Sequence, residues 1–112
     1  MPIPSKGEAL QRIHVLAESE AVEIGDRALD DAGALGYYRE DVCDMLYELE
    51  EVDCEKIAPG KHRNDPVATF RTTFLPRRHE EDDLPPDDLF VEVAIRDRNL
   101  FVLACKLYGS PR

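Results

Sequence analysis

Apolar positions in the first half of the chain recur at helical spacing, and in the second half they alternate. Leu10, Ile13, Leu16 and Ala17 follow the capping box Ser5-Lys-Gly-Glu8, in which side chain and backbone satisfy each other, so a helix is predicted from about 6 to 20. Asp26 is a candidate N-cap for a short second helix that buries Ala28, Leu29 and Ala32 and stops near Gly36. The segment 39–50 places Val42, Met45, Leu46 and Leu49 at i, i+3, i+4 and i+7, with Glu40, Asp41, Asp44 and Glu48 largely on the opposite face, and predicts a third helix.

The period then changes. Asp53 to Ile57 reads as a short strand, and Pro59, Gly60, Asn64, Asp65 and Pro66 mark a loop. Val67 to Phe74 alternates and carries Thr and Phe, which suits a strand. Residues 75–88 hold Pro76, Pro85 and Pro86 in a charged run and read as a long exposed loop. Leu89–Ile95 and Leu100–Leu107, joined by Arg96 to Asn99, read as an antiparallel hairpin. The predicted class is α+β, with three N-terminal helices followed by a small antiparallel sheet. One domain is expected over 1–112, with a helical part at 1–52 and a sheet part at 53–112 that carries the acidic loop 76–88.

Alternation assigns faces. On the last strand Phe101, Leu103, Cys105 and Leu107 form the expected core set, while Val102, Ala104 and Lys106 point the other way. On its neighbour Leu89, Val91, Val93 and Ile95 alternate with Phe90, Glu92 and Ala94. Between Val67 and Phe74, Ala68, Phe70, Thr72 and Phe74 alternate with Val67, Thr69, Arg71 and Thr73. A sheet face carrying Lys106, Arg71 and Lys56 could bind an anion.

Charge first argues against nucleic acid, because the net value is −10. Its distribution reverses that inference. Residues 1–55 hold four basic and fifteen acidic groups, whereas residues 56–112 hold ten basic and nine acidic. From Lys56 to Arg78, Lys56, Lys61, Arg63, Arg71, Arg77 and Arg78 stand against Asp65 alone. His62 and His79 can add to this patch. Six acids follow between Glu80 and Asp88. They suit a solvated run, or a segment that folds over the basic face in place of phosphate.

Several classes of chemistry lack a signature. The cysteines Cys43, Cys54 and Cys105 form no CxxC pair, so no metal site is expected, and Cys43 and Cys105 read as buried thiols. P-loop, GxGxxG, HExxH and GxSxG motifs do not occur. His14 reads as a structural histidine on the first helix. No apolar run approaches the roughly 20 residues that span a bilayer, and the first residues lack a signal-peptide core, so no membrane partner and a cytoplasmic location are expected.

A series of segments resembles the motility quorum-sensing regulator (MqsR) family of bacterial toxins. It comprises Arg27-Ala-Leu-Asp-Asp-Ala-Gly-Ala-Leu-Gly36, Asp41-Val-Cys-Asp44 with Leu49, Asp53-Cys-Glu-Lys56, Leu89-Phe-Val-Glu-Val-Ala-Ile95 and Leu100-Phe-Val-Leu-Ala-Cys-Lys106. The order of these segments carries the resemblance, which covers most of the chain at low identity. It implies a RelE-like fold and a metal-independent, cofactor-free endoribonuclease that cuts single-stranded mRNA through RNA's own 2′-hydroxyl. It also implies a cognate antitoxin protein as partner.

Lys56 and Lys106 match the family's two site lysines, and Arg71 follows Phe70 as a family arginine follows a tyrosine. On this resemblance together with the basic stretch 56–78, Lys56, Lys106, His62 and His79 are the candidate catalytic residues, and Arg71, Lys61 and Arg63 the candidate substrate-binding residues. Two positions depart from the pattern. Phe90 stands where the family has a tyrosine, and Val67 or Ala68 where it has a glutamine. His62, His79 or Tyr108 are then the candidates to move protons. The alternative is a non-catalytic RelE-like domain that serves as a protein-interaction or regulatory module.

Overall fold

A computed structural model describes residues 3–60 and 65–109. Its elements are α1 (Lys6–Glu18), β1 (Val22–Ile24), α2 (Asp26–Ala34), α3 (Arg39–Glu48), β2 (Cys54–Pro59), β3 (Pro66–Phe74), β4 (Asp87–Ile95) and β5 (Leu100–Leu107). Short 3-10 segments occupy Glu51–Asp53 and Arg77–Asp82. The class is α+β, with most of the helical structure preceding the sheet. The five strands run β1-β5-β4-β3-β2. Four of them pair antiparallel, and β1 lies parallel to β5, with Val22 opposite Leu100 and Ile24 opposite Val102. That parallel edge strand is added to the expected antiparallel sheet. Three residues between two helices are too short to show a period, and their partner lies far along the chain.

The helices form for the reasons the pattern suggests, with local differences. Ser5 Oγ accepts from the Glu8 amide at 3.2 Å and Glu8 Oε1 accepts from the Ser5 amide at 3.3 Å, closing the capping box of α1. Ala9, Ile13 and Ala17 are its buried stripe. His14 donates from Nε2 to the Leu49 carbonyl at 2.8 Å, tying α1 to the end of α3.

Gly25, not Asp26, is the N-cap of α2. A Cβ at Gly25 would lie 3.2 Å from both the Phe101 ring and the Val102 carbonyl, so any larger residue would press on β5 where α2 meets it. Ala28 and Ala32 are buried, but Leu29 is 50% exposed. The inward face of α2 is thus narrower than hydrophobicity alone implied.

Asp41 departs from the expectation that the acids of α3 face water. It is buried, accepts the Tyr38 amide at 2.7 Å and pairs with Arg78. Arg78 also donates to the Gly36 carbonyl, and Arg77 lies 4.0 Å from Asp44. These contacts clamp Arg77–Asp82 against the α2–α3 corner. Residues 75–88 are therefore not a long loop throughout. They contain a 3-10 segment, and β4 already starts at Asp87, where Tyr37 Oη donates to Asp87 Oδ2 at 2.5 Å. Burial first, and that bond second, push the Tyr37 phenol well above its ordinary range.

One face of the sheet meets the helices. Cys54, Phe70, Val91 and Cys105 stand opposite one another in a fully buried cross-strand row. Leu89, Val93, Ile95, Leu100 and Val102 extend the same core. The face assignments of β3 and β4 hold, but that of β5 holds only in part. Glu92 pairs with Ala104 and Val93 with Val102, leaving Leu103 as an extra residue. This bulge inverts the alternation, so Leu100 and Val102 join the core before it and Cys105 after it, while Leu103 and Leu107 are exposed.

Two outcomes follow. Phe70 is wholly buried in the central row, so Phe70→Ala should cost about 3–5 kcal/mol, read as a lower urea midpoint; a loss under about 1 kcal/mol would refute its place in the core. Burial pushes the Cys105 thiol from 9.0 up to about 12. The folded state then holds a proton that the unfolded chain releases, so this stability is complete below pH 9 and declines as pH rises toward 12. Urea midpoints should fall over that range, and Cys105→Ala should flatten the fall; identical slopes would contradict this.

Candidate functional site

The face opposite the helices carries the candidate cations. Because the row Cys54–Phe70–Val91–Cys105 is buried, the rows on either side of it point outward, on β2 by way of a bulge between Cys54 and Lys56 that interrupts the alternation. On one side Lys106, Phe90 and Arg71 stand opposite one another on β5, β4 and β3. On the other side the row is Ala104, Glu92, Thr69 and Lys56. Strand spacing of about 4.8 Å sets Arg71 about 10 Å and Lys56 about 14 Å from β5. Such a spread suits an extended anion better than a single small one.

Each cation has a distinct setting. Lys106 is partly buried, with Nζ 5.6 Å from the centroid of the Phe90 ring. Phe90 therefore offers this lysine a π face and no hydroxyl. Lys56 is exposed on the edge strand β2. Arg71 is gripped at two points by Asp88, Nε to Oδ1 at 3.2 Å and Nη2 to Oδ2 at 2.8 Å. Its guanidinium also lies 3.8 Å from the Tyr108 ring centroid. The bidentate bond raises Arg71 above its ordinary range and lowers Asp88 below the usual carboxylate range. Asp88 holds Arg71 as a phosphate would.

The acidic run does not lie over this face as a whole. Its 3-10 portion is held at the α2–α3 corner through Arg78, and Asp88 on β4 is the acid that meets Arg71. His79 stands on the 3-10 portion, with Nδ1 2.8 Å from Asp82 Oδ2. The candidates Lys61, His62 and Arg63 lie outside the described residues. The structure thus brings Lys56, Lys106, Arg71 and the proton-transfer candidate Tyr108 onto one face and adds Asp88 and Glu92. Glu92 was visible in the β4 alternation. Asp88 was not, because nothing in the pattern showed β4 starting before Leu89.

The opposite charge gathers elsewhere. A cleft of about 450 Å³ between α1 and α3 is lined by Ala17, Glu18, Glu20, Glu40, Cys43, Asp44 and Tyr47. All three cysteines are unpaired and buried. Burial raises the thiols of Cys43 and Cys54 as well as that of Cys105, which makes them poor nucleophiles. Among the described residues, no group of three or more His, Cys, Asp or Glu side chains could hold a metal ion, and no helix is long and apolar enough to cross a membrane.

Compared with protein-family models and with curated protein sequences, the chain matches none.

The Arg71–Asp88 pair gives a direct test of this geometry. Arg71→Ala removes the group that lowers Asp88, so the Asp88 carboxyl carbon, followed by NMR, should titrate at higher pH than in the unsubstituted protein. An unmoved midpoint would mean that the two side chains do not pair in solution.

Proposed function

We propose that the protein is an RNA-cleaving toxin of the kind the MqsR resemblance implies. It would be the metal-independent mRNA endoribonuclease of a type II toxin–antitoxin pair. It would act in the cytoplasm on single-stranded mRNA and be held inactive by a cognate antitoxin. The observation that supports this reading best is the cross-strand register that puts Lys56, Arg71 and Lys106 on one open sheet face. Cleavage by RNA's 2′-hydroxyl places extra negative charge on the phosphate in the transition state, and fixed cations beside it lower that barrier. Lys106 and Lys56 supply such charge. Arg71 binds phosphate by exchanging the Asp88 carboxylate for a substrate oxygen, as the matching bidentate geometry allows. His62, His79 and Tyr108 remain the proton-transfer candidates, with Lys61 and Arg63 extending the basic track. Affinity should be local to this face and strongly dependent on salt.

A second reading draws on the acidic cleft between α1 and α3, and on Phe90 in place of a phenol. In it the chain is a non-catalytic RelE-like module whose helical half binds a basic protein.

Incubation of the purified protein with single-stranded RNA separates the two. The Lys56→Ala/Lys106→Ala double variant should cut at least about 100-fold more slowly than the unsubstituted protein. Equal cleavage by both would sink the nuclease mechanism, and no cleavage by the unsubstituted protein leaves the second reading standing.

A further inference from the structure

Among the described residues, the cations of this face account for charge stabilisation but none of them can take the proton from the attacking hydroxyl. A lysine ammonium and an arginine guanidinium carry no free acceptor. The two carboxylate oxygens of Asp88 are both engaged by Arg71. His79 is bonded to Asp82 on the segment clamped to the α2–α3 corner. Two carboxylates then remain: Glu55, exposed on the edge strand β2 and near enough to Arg71 to act on its charge, and, at the centre of the face, Glu92. It projects from β4 between Thr69 on β3 and Ala104 on β5. It is partly buried, and among the described residues nothing bonds its carboxylate.

Glu92 also sits among the smallest side chains of the face. Thr69 and Ala104 flank it across the strands and Ala94 follows it on β4, and these small side chains are buried at 4%, 8% and 7% exposure. Phe90 rises on one side of them and Phe101 on the other. The Leu103 bulge falls directly opposite Glu92, between its partner Ala104 and Val102. Bulges of this kind re-aim side chains beside functional sites. The ionisable groups that share the face among the described residues are Glu55 and Lys56 on β2, Arg71 on β3 and Lys106 on β5, with Asp88 and Tyr108 beyond Phe90.

We propose that Glu92 is the general base of the reaction assigned above, for an RNA phosphodiester bound across β2 to β5. This inference rests on the nuclease reading. The carboxylate removes the proton of a ribose 2′-hydroxyl as O2′ bonds to phosphorus. The bond from phosphorus to the 5′-oxygen breaks, and that oxygen takes a proton from water. Glu92 returns its own proton to solvent. The products are a 2′,3′-cyclic phosphate and a 5′-hydroxyl, with no oxidant, metal or co-reactant consumed.

The test is steady-state cleavage of an end-labelled single-stranded RNA of mixed sequence, with chelator present, from about pH 4 to 9. Glu92→Gln should lower kcat about 100-fold or more while KM stays within about threefold, because the amide keeps the shape and loses the base. The acid limb of the unsubstituted pH profile, where the base becomes protonated, should vanish in Glu92→Gln. Glu92→Asp should keep that limb at a reduced rate. Thermal melting of each variant checks folding; where Glu92→Gln melts early, Glu92→Asp carries the test through its retained limb. Cleavage by Glu92→Gln with an unchanged rate and profile overturns the role of Glu92 and leaves the nuclease reading intact. Absence of cleavage by the unsubstituted protein overturns both.

Discussion

Burial of the cross-strand row Cys54, Phe70, Val91 and Cys105 beneath the helices determines which residues of the sheet can meet solvent. Side chains alternate along a strand, so fixing this row inward fixes its neighbours outward. A slip of one residue in β3, β4 or β5 would expose a member of the row and bury an outward charge, Arg71, Glu92 or Lys106, at a cost of several kcal/mol for an unpaired buried charge. The apolar core therefore enforces the register of Lys106, Phe90 and Arg71 on one side and of Glu92, Thr69 and Lys56 on the other. The chemistry of the outer face is set by the packing of the inner one.

Charge follows the same division. The acids of the first 55 residues decorate the helices and line the cleft between α1 and α3, while the open sheet face gathers the cations. Two arginines bind acids across long stretches of chain, to different ends. Arg78 reaches Asp41 and the Gly36 carbonyl, and so fastens the 3-10 segment to the helical layer. Arg71 meets Asp88 on the exposed face, where solvent weakens the pair and a competing anion can displace it. The first pair positions a segment. The second occupies a donor fork that would otherwise face water.

Much of this arrangement could be read from residue order, and the exceptions have physical causes. Helical spacing found α1, α2 and α3, and strict alternation found the two faces of β3 and β4. β5 defeated alternation because a single extra residue, Leu103, inverts the period halfway along the strand. β1 went unseen because its stability comes from a partner over seventy residues away and not from its own three residues. The start of β4 was hidden by its acids: Asp87 and Asp88 look like loop until Tyr37 and Arg71 bind them. At the site, Arg71 and Lys106 came from alternation and family resemblance together, and Lys56 from the resemblance, because a bulge breaks the period of β2 between Cys54 and Lys56. Tyr108 was raised for its phenol alone; its stacking with Arg71 needed the register.

The strand order also imposes a sequence in time. β5 is the last of the five strands to be synthesised, yet it lies between β1 and β4 and carries Lys106. Until it enters, β1 has no partner, α2 has no sheet to lie on, and the inner row lacks Cys105. Closing a loop this long is slow compared with forming the helices, which depend on neighbours close in sequence. On a ribosome the N-terminal helices can form early, but the cationic face stays incomplete until residue 106 has emerged. A nascent chain thus carries its acidic half into the cell well before it can present its basic one.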